Sequence, residues 1–165
     1  MDSAAATIVI RRGRTGDAEA VHACLQAAFE PFRSQYTRGA FEDTVPGMQA
    51  VRDRMARMTV YVAVTVDGEI VGTVAAAACG EVGHLRGMGV LPGWQGRSVA
   101  EKLLRAAENG LLDTGCIRLS LDTTAPLERA IRFYQRNGFA PSGKVTDFFG
   151  MPLYEYVKIL VHCAT

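Results

Sequence analysis

The segment between Val82 and Leu112 contains the residues best suited to chemistry in this chain. An alternating apolar run ends at Pro92, and a short basic loop then leads into apolar residues at helical spacing: Val99, Leu103, Leu104, Ala107 and Leu111. The predicted order is strand, tight loop, helix. The start of a helix leaves backbone N–H groups without partners, and the helix dipole favours negative charge there. We therefore expect the loop to hold a phosphate or pyrophosphate group.

The loop also carries a family pattern. Residues 95–100, QGRSVA, place a Gln three positions before a small residue, which is followed after one more residue by Ala. This pattern resembles the coenzyme-binding signature of the GNAT superfamily of acyl-CoA-dependent N-acyltransferases, with Ser98 where the inner Gly usually stands. Residues 130–139 resemble the late helix of the family and its Gly-Phe exit. The two matches have the expected order and separation, and the likeness extends from about Ile8 to Leu160.

The resemblance implies a fold and an activity. The fold would be α/β of the α+β type, a single GNAT-like domain over residues 1–165 with its core at about 7–160. It would have a mixed, mostly antiparallel sheet of about six to seven strands with splayed central strands, flanked by about four helices. The protein would be an N-acetyltransferase that passes the acetyl group of acetyl-CoA to a primary amine by direct transfer in a ternary complex. The amine would belong to a small molecule or a peptide.

Most coenzyme contacts implied by the resemblance involve main-chain atoms. Met88 and Val90 would lie along the pantetheine arm, and a purely structural role in the core is the alternative. Gly87 and Gly89 in the same strand indicate a bulge or the close approach of another group. Arg97 would add its charge to a phosphate. The pyrophosphate would be bound by backbone N–H groups of the loop residues Gln95, Gly96, Arg97, Ser98, Val99 and Ala100.

Tyr134 is the catalytic acid that the resemblance implies. When an amine attacks a thioester, the departing thiolate takes up a proton, and many family members supply it from a Tyr at this position. Tyr134 also forms a helical stripe with Leu127, Ala130 and Ile131, so simple packing is the alternative. Leu127 stands where the family often has Asn, which implies one polar contact fewer near the coenzyme.

His84 is the candidate general base. Alternation along the predicted strand puts it on the same face as Arg86, Met88 and Val90. The resemblance places it near the point where relatives often carry a Glu that deprotonates the amine through water. An imidazole can take up a proton near neutral pH. A structural or surface role is the alternative, and Glu81 and Glu155 are further candidates for the base.

The composition argues against several other partners. A formal net charge of +1 gives no global field for nucleic acid or anionic lipid, so we expect neither as a partner. The first seven residues show no secretory signal, and the apolar stretch 70–79 is too short to cross a bilayer. We expect a cytoplasmic protein with free thiols and no metal, because neither its cysteines nor its histidines cluster. The cysteines are Cys24, Cys79, Cys116 and Cys163, and the histidines are His22, His84 and His162.

Two other classes of function stay open. The departures at Ser98 and Leu127 leave room for a noncatalytic acyl-CoA-binding or regulatory module on the same fold. A nucleotide-phosphate protein of another fold is disfavoured, because the chain has no Gly-x-x-x-x-Gly-Lys-Ser/Thr run and the loop does not follow a first strand.

The remaining periodicities predict one α/β arrangement without repeats or linkers. Thr15 or Asp17 can cap the first helix, and Asp67-Gly68 is a strong turn signal. We predict strands at 7–12, 60–66, 69–78 and 117–122, a terminal pair of strands, and further helices at 18–28, 46–55 and 126–137.

The sequence leaves the acceptor open. Selection would fall to residues 29–58 and 144–152, where aromatic side chains could line a pocket or seal the core, and where acidic residues could attract a cationic amine. The arginines at 52, 54 and 57 are expected on a solvated helix face, with acceptor recognition as the alternative. The terminal strands offer an edge for a homodimer. The aromatic side chains that could line the pocket are Phe32, Tyr36 and Phe41, and the acidic residues that could attract the amine are Glu42 and Asp43.

Overall fold

The chain alternates between strands and helices in a computed structural model that describes residues 7–160, so His162 and Cys163 lie outside the described residues. The strands are β1 (Ile8–Arg12), β2 (Thr59–Thr65), β3 (Ile70–Cys79), β4 (Val82–Val90), β5 (Arg118–Thr123), β6 (Ala140–Phe148) and β7 (Met151–Ile159). The α-helices are α1 (Ala18–Phe29), α2 (Arg38–Thr44), α3 (Met48–Arg57), α4 (Val99–Asp113) and α5 (Glu128–Arg136). Short 3-10 helices occupy Thr15–Asp17, Glu30–Gln35 and Pro92–Trp94.

All seven strands form one sheet in the order β1-β2-β3-β4-β5-β7-β6. Every neighbouring pair is antiparallel except β4 and β5, which run parallel. The ladder between β4 and β5 ends at Leu85 and Leu121, although β4 continues to Val90. The two central strands therefore splay apart beyond Leu85. This confirms the predicted α/β class, the mixed sheet and the splay.

A bulge interrupts β4 near its middle. Ala75 of β3 lies opposite Arg86, whereas Thr73 lies opposite Gly89, so β4 has one residue more than β3 in this interval. Gly87 has a φ of +62°, a conformation that glycine adopts without steric cost. Of the two alternatives expected for the glycines of this strand, a bulge or the close approach of another group, the structure shows a bulge at Gly87.

The bulge also makes one prediction wrong. Strict alternation put His84, Arg86 and Met88 on one face, but the extra residue shifts the alternation by one position. Arg86 reaches Asp43 on the α1–α3 side, whereas Met88 packs against the cluster on the α4 side. Val90 lies with Met88 in that cluster. His84 and Met88 therefore face opposite sides of the sheet.

Two hydrophobic clusters hold the helices against the sheet. On one face, α4 buries Leu103, Leu104 and other residues of its apolar stripe against the inward side chains of the central strands. On the other face, α1, α2 and α3 bury Leu25, Phe41 and Val51 against β2 and β3. Burial of these side chains is the main stabilising contribution to the fold. The sheet between the two clusters positions the residues of the central strands.

The predicted elements agree with the structure apart from a few local differences. The helix α2 was not predicted, because it has only seven residues and begins next to Gly39, so five α-helices occur in the described range where about four were expected. Asp17 stands at the start of α1 but does not cap it. Its carboxylate accepts hydrogen bonds from Arg11 and from the backbone N–H of Arg14, and the Arg11 guanidinium lowers its pKa.

The outermost strand β6 leaves an open edge. Its residues from Ala140 to Asp147 are exposed, and among the described strands β7 is its single neighbour. Pairing of a second copy along the terminal strands stays a prediction.

The contact between α4 and the sheet can be tested at Gly83. A Cβ at Gly83 would lie 2.6 Å from Leu111 Cδ1 and 2.9 Å from Leu119 Cδ2. Gly83→Ala is expected to lower the free energy of unfolding by about 1–3 kcal/mol, the usual effect of overpacking a core. Chemical denaturation measures this change. Gly16→Ala is the matched control, because a Cβ there meets no atom within 4 Å. Equal stability of the two variants would contradict the packing described for α4.

Candidate functional site

A cleft of about 590 Å³ opens where β4 and β5 separate. It is continuous across the sheet. On the α4 side it is bounded by the loop after β4 and by α5, and on the α1–α3 side by α1, α3 and the segment between α1 and α2. We refer to these two parts as the loop half and the helical half. The cleft brings together most of the residues that the sequence singled out.

The loop after β4 presents free N–H groups to the loop half. Gly96 has a φ of +77° and Ser98 has φ 63° and ψ 15°, so the chain turns sharply before α4 begins at Val99. Within the described residues, the N–H groups of Val99, Ala100 and Glu101 donate to no backbone or side-chain acceptor. Such N–H groups at a helix start are suited to an anion. Phosphate binding at this loop stays a prediction, and the free N–H groups are compatible with it.

Side-chain hydrogen bonds hold this loop in position. Gln95 Nε2 donates to the carbonyl of Val90 at 3.3 Å, and Arg129 Nη1 donates to Gln95 Oε1 at 3.4 Å. The Arg97 guanidinium lies 5.0 Å from the centroid of the Trp94 ring, an arrangement that holds its charge beside the loop. The Val90 carbonyl, expected to contact the pantetheine arm, therefore already accepts one hydrogen bond.

The β5 side of the splay contributes a buried hydroxyl. Thr123 is only 4% exposed and borders the cleft, and its Oγ1 has no hydrogen-bond partner in the described structure. Leaving a buried hydroxyl unpaired costs about 1–3 kcal/mol. A polar group bound in the cleft would remove this cost. Sequence reasoning missed Thr123, because nothing in its spacing distinguishes it from a structural strand residue.

Tyr134 lies at the wall of the loop half. Its ring packs edge-on against Phe133 at 5.5 Å and Phe139 at 5.7 Å between centroids. The ring therefore belongs to the core, as the packing alternative required. Its side chain also borders the cleft, and within residues 7–160 no hydrogen-bond partner of its hydroxyl is found. Burial raises the pKa of Tyr134 to about 12, so the hydroxyl keeps its proton at neutral pH.

His84 lies in the cleft between two polar residues of β5. Its Nδ1 is 3.0 Å from Ser120 Oγ, and its Nε2 is 3.9 Å from Asp122 Oδ2. About 40% of the His84 side chain is exposed, so the imidazole is accessible from the cleft. The alternative bases lie elsewhere, since neither Glu81 nor Glu155 is among the residues that border the cleft.

The helical half is built from aromatic and charged side chains. Phe29, Phe32 and Tyr36 border it, and the Tyr36 hydroxyl shares a 2.6 Å hydrogen bond with Thr124 Oγ1. Phe41 is buried in the core instead, so the expected aromatic set divides between the two roles.

The charged residues also differ from expectation. Asp43 is paired with Arg86 at 3.0 Å, and Glu42 is paired with Arg38 at 3.0 Å, so neither carboxylate is free to attract an amine. Among the three arginines of α3, Arg54 is half-buried and borders the cleft, whereas the other two, Arg52 and Arg57, are exposed as predicted.

Three further features concern metal ligands, thiols and membrane-spanning helices. Within residues 7–160, no group of three or more His, Cys, Asp or Glu side chains is arranged to hold a metal ion. Cys24, Cys79 and Cys116 are free thiols, as predicted, and burial raises the pKa of Cys24 to about 12. No helix in this range has the length and apolar character needed to cross a membrane.

Comparison with known proteins agrees with this architecture. The profile of the acetyltransferase (GNAT) family matches residues 19–139, well over half of the chain, and the chain therefore belongs to this family. The resemblance inferred from the loop and the late helix is thus confirmed.

Several solved structures share the fold at low sequence identity. The PaiA N-acetyltransferase from Thermoplasma acidophilum, solved in complex with coenzyme A, has a TM-score of 0.78 and 18% identity, covering 93% of this chain and 99% of that one. A GNAT-family acetyltransferase from Staphylococcus aureus has a TM-score of 0.76 and 19% identity, with 94% and 100% covered. The IAA acetyltransferase from Bacillus cereus has a TM-score of 0.70 and 17% identity, with 93% and 100% covered. These similarities establish an acetyltransferase fold for the whole described chain.

Replacing Ser98 with Gly is expected to stabilise the protein. A side chain in the left-handed conformation costs about 1–2 kcal/mol, and glycine removes that cost at φ 63°. Urea denaturation should show a gain of about 1 kcal/mol. The control is Ser34→Gly in the 3-10 helix Glu30–Gln35, where φ is not positive and glycine should lower stability by about 0.5–1 kcal/mol. Changes of the same sign in both variants would contradict this account of Ser98.

Proposed function

We propose that this protein is an N-acetyltransferase that transfers the acetyl group of acetyl-CoA directly to a primary amine within a ternary complex. The observation that carries the proposal is the splay between β4 and β5. It joins an anion-accepting loop, a strand without a neighbour and two titratable side chains in one cleft. In a direct transfer both substrates must meet, and a cleft open on both faces of the sheet allows this.

The loop half suits the coenzyme. The N–H groups at the start of α4 would hold the pyrophosphate, with Arg97 adding charge. Beyond the bulge, Met88 and Val90 would face the pantetheine arm, and the unpaired hydroxyl of Thr123 would bind a polar group of that arm or the thioester oxygen. The site thus offers main-chain and side-chain partners along the coenzyme. When bound, acetyl-CoA supplies the activated acetyl group.

His84 and Tyr134 would perform the proton transfers. His84, with Ser120 at Nδ1 and Asp122 near Nε2, would accept a proton from the acceptor amine, directly or through a water. The neutral amine nitrogen then forms the amide bond to the acetyl carbon as the carbon–sulfur bond breaks. The nitrogen loses its remaining extra proton to water, and water returns a proton to Tyr134 after its hydroxyl has protonated the sulfur. Tyr134 would donate its proton to the departing sulfur, and its raised pKa keeps that proton available. The products are the N-acetylated acceptor and free coenzyme A.

A screen of primary amines with acetyl-CoA tests this proposal directly. Release of free thiol that depends on an amine, together with the acetylated amine found by mass spectrometry, would support transfer. The alternative is a noncatalytic acyl-CoA-binding module, which is favoured by the side chain of Ser98 in the loop and by the apolar Leu127 at the start of α5. Tight acetyl-CoA binding without amine-dependent release across the screen would favour that module.

The coenzyme site is tested by Arg97→Glu. Reversing the charge beside the pyrophosphate is expected to weaken acetyl-CoA binding roughly tenfold, equivalent to about 1.4 kcal/mol, with little effect on stability because Arg97 is exposed. Isothermal titration calorimetry gives the affinity. Neither Arg97 nor Arg105 borders the cleft, but Arg97 lies within the loop, whereas Arg105 lies six residues into α4. Arg105→Glu is therefore the matched control, since Arg105 is exposed but lies outside the loop. Equal affinities for wild type and Arg97→Glu would remove Arg97 from the site.

The acid is tested by Tyr134→Phe, which deletes one hydroxyl and keeps the packed ring. Turnover is expected to fall about a hundredfold, the usual scale of general acid catalysis, with acetyl-CoA affinity and melting temperature nearly unchanged. Steady-state rates with an active amine measure the loss. Tyr154→Phe is the control, because Tyr154 is half-buried on β7 and lies outside the cleft. Unchanged turnover of Tyr134→Phe would leave the tyrosine with its packing role alone.

A further inference from the structure

The helical half of the cleft contains a guanidinium that has no ion-pair partner among the described residues. Arg54 of α3 is half-buried and borders the cleft, and within the described chain its guanidinium makes no hydrogen bond or ion pair. Burial and the nearby charge of Arg86 lower the pKa of Arg54 to about 10. A guanidinium removed from water without a partner is unfavourable for folding. The position is therefore poorly explained by stability alone.

The bulge in β4 makes room for this guanidinium. A Cβ at Gly87 would lie 2.5 Å from Arg54 Nη1, so any larger residue there would displace the arginine. The charge consequently lies directly against the backbone of β4, one residue before Met88. This is the strand segment that borders both halves of the cleft. A group bound by Arg54 would thus lie close to the place where the strands separate.

The local charge balance indicates what Arg54 would bind. Asp43 is paired with Arg86 at 3.0 Å and acts on Arg54 only at longer range, where it partly offsets the effect of Arg86. The two guanidinium groups and this one carboxylate together leave one positive charge in excess. A monoanion restores neutrality, whereas a phosphate dianion would leave an excess of negative charge in a half-buried site. A guanidinium also matches the planar geometry of a carboxylate, with two parallel N–H donors. The chemistry therefore favours a single carboxylate.

The remaining walls fit the rest of such a molecule. Phe29, Phe32 and Tyr36 form an apolar aromatic side of the same half. His84 and Asp122 lie at the border with the loop half, where an amine would have to be deprotonated. One molecule could contact all three sites if it carried a carboxylate for Arg54, an apolar body for the aromatic side and an amine for the border with the loop half.

We propose that the acceptor is an amino acid with an apolar side chain, and that Arg54 binds its carboxylate. The inference rests on the proposed acetyl transfer and adds the substrate class. Arg54 is then the residue that determines specificity for acids over neutral amines.

The kinetic test compares L-phenylalanine with L-phenylalaninamide, which differ at the carboxylate. The ratio of kcat/KM for the acid to that for the amide is expected to fall by ten- to a hundredfold in Arg54→Gln, the range for losing hydrogen bonds to a charged group. Arg54→Lys keeps a positive charge without the planar fork and should retain part of the ratio. Arg52→Gln, exposed on the same helix, should leave it at the wild-type value. An unchanged ratio in Arg54→Gln would overturn the inference.

A binding test separates this inference from the proposed activity. Calorimetry in the presence of coenzyme A would measure N-acetyl-L-phenylalanine and N-acetyl-L-phenylalaninamide on wild type and on Arg54→Gln. We expect at least tenfold tighter binding of the acid by wild type, and loss of that preference in the variant, with melting temperature as the control for folding. Equal affinities on wild type, or no binding of either probe, would overturn the carboxylate site. Selective acid binding without turnover would instead contradict the proposed transferase activity and leave the site intact.

Discussion

The bulge at Gly87 lies where β4 separates from β5, and the geometry of the cleft depends on this departure from regular pairing. The ladder to β5 ends at Leu85, just before the bulge, and the strand beyond it has no neighbour on that side. A bulge bends and twists a strand locally, and a positive φ lets glycine occupy it without strain. The same glycine leaves the space in which the Arg54 guanidinium lies. The bulge thus lies both where the sheet opens and where the Arg54 guanidinium contacts β4.

The bulge also divides the chemistry of β4 between the two faces. Before it, His84 and Arg86 point to the helical half; after it, Met88 and Val90 point to the loop half. A regular strand would have placed all four on one side. The coenzyme-facing and acceptor-facing residues of the proposed enzyme are therefore separated by a single extra residue. Each half can then carry its own electrostatics, with free N–H groups in one and, in the other, a guanidinium that has no ion-pair partner among the described residues.

The sequence predicted the elements whose signal is local. The apolar stripe of α4, the Asp67-Gly68 hairpin and the small-residue loop before α4 are each encoded within a few residues, and all agree with the structure. The side of the sheet on which His84 lies was not predictable, because alternation holds only while pairing is regular and the bulge depends on contacts with β3. The sequence also could not predict that Arg54 and the Thr123 hydroxyl have no bonding partner in the described structure. This depends on which groups the fold brings near them from distant parts of the chain.

The shared fold describes the backbone of this protein, whereas the side chains that border the cleft decide which acceptor it would bind. Solved structures that share only 17–19% identity with this chain have the same fold, so the arrangement of the backbone does not depend on most side chains. An acceptor, however, meets side chains, and these include Arg54 against the bulge and the aromatic wall beside it. A buried cation lowers stability unless something bound compensates it. Arg54 has no ion-pair partner among the described residues, so a bound ligand explains its position better than the fold does. This supports the proposal that the cleft selects its acceptor by charge.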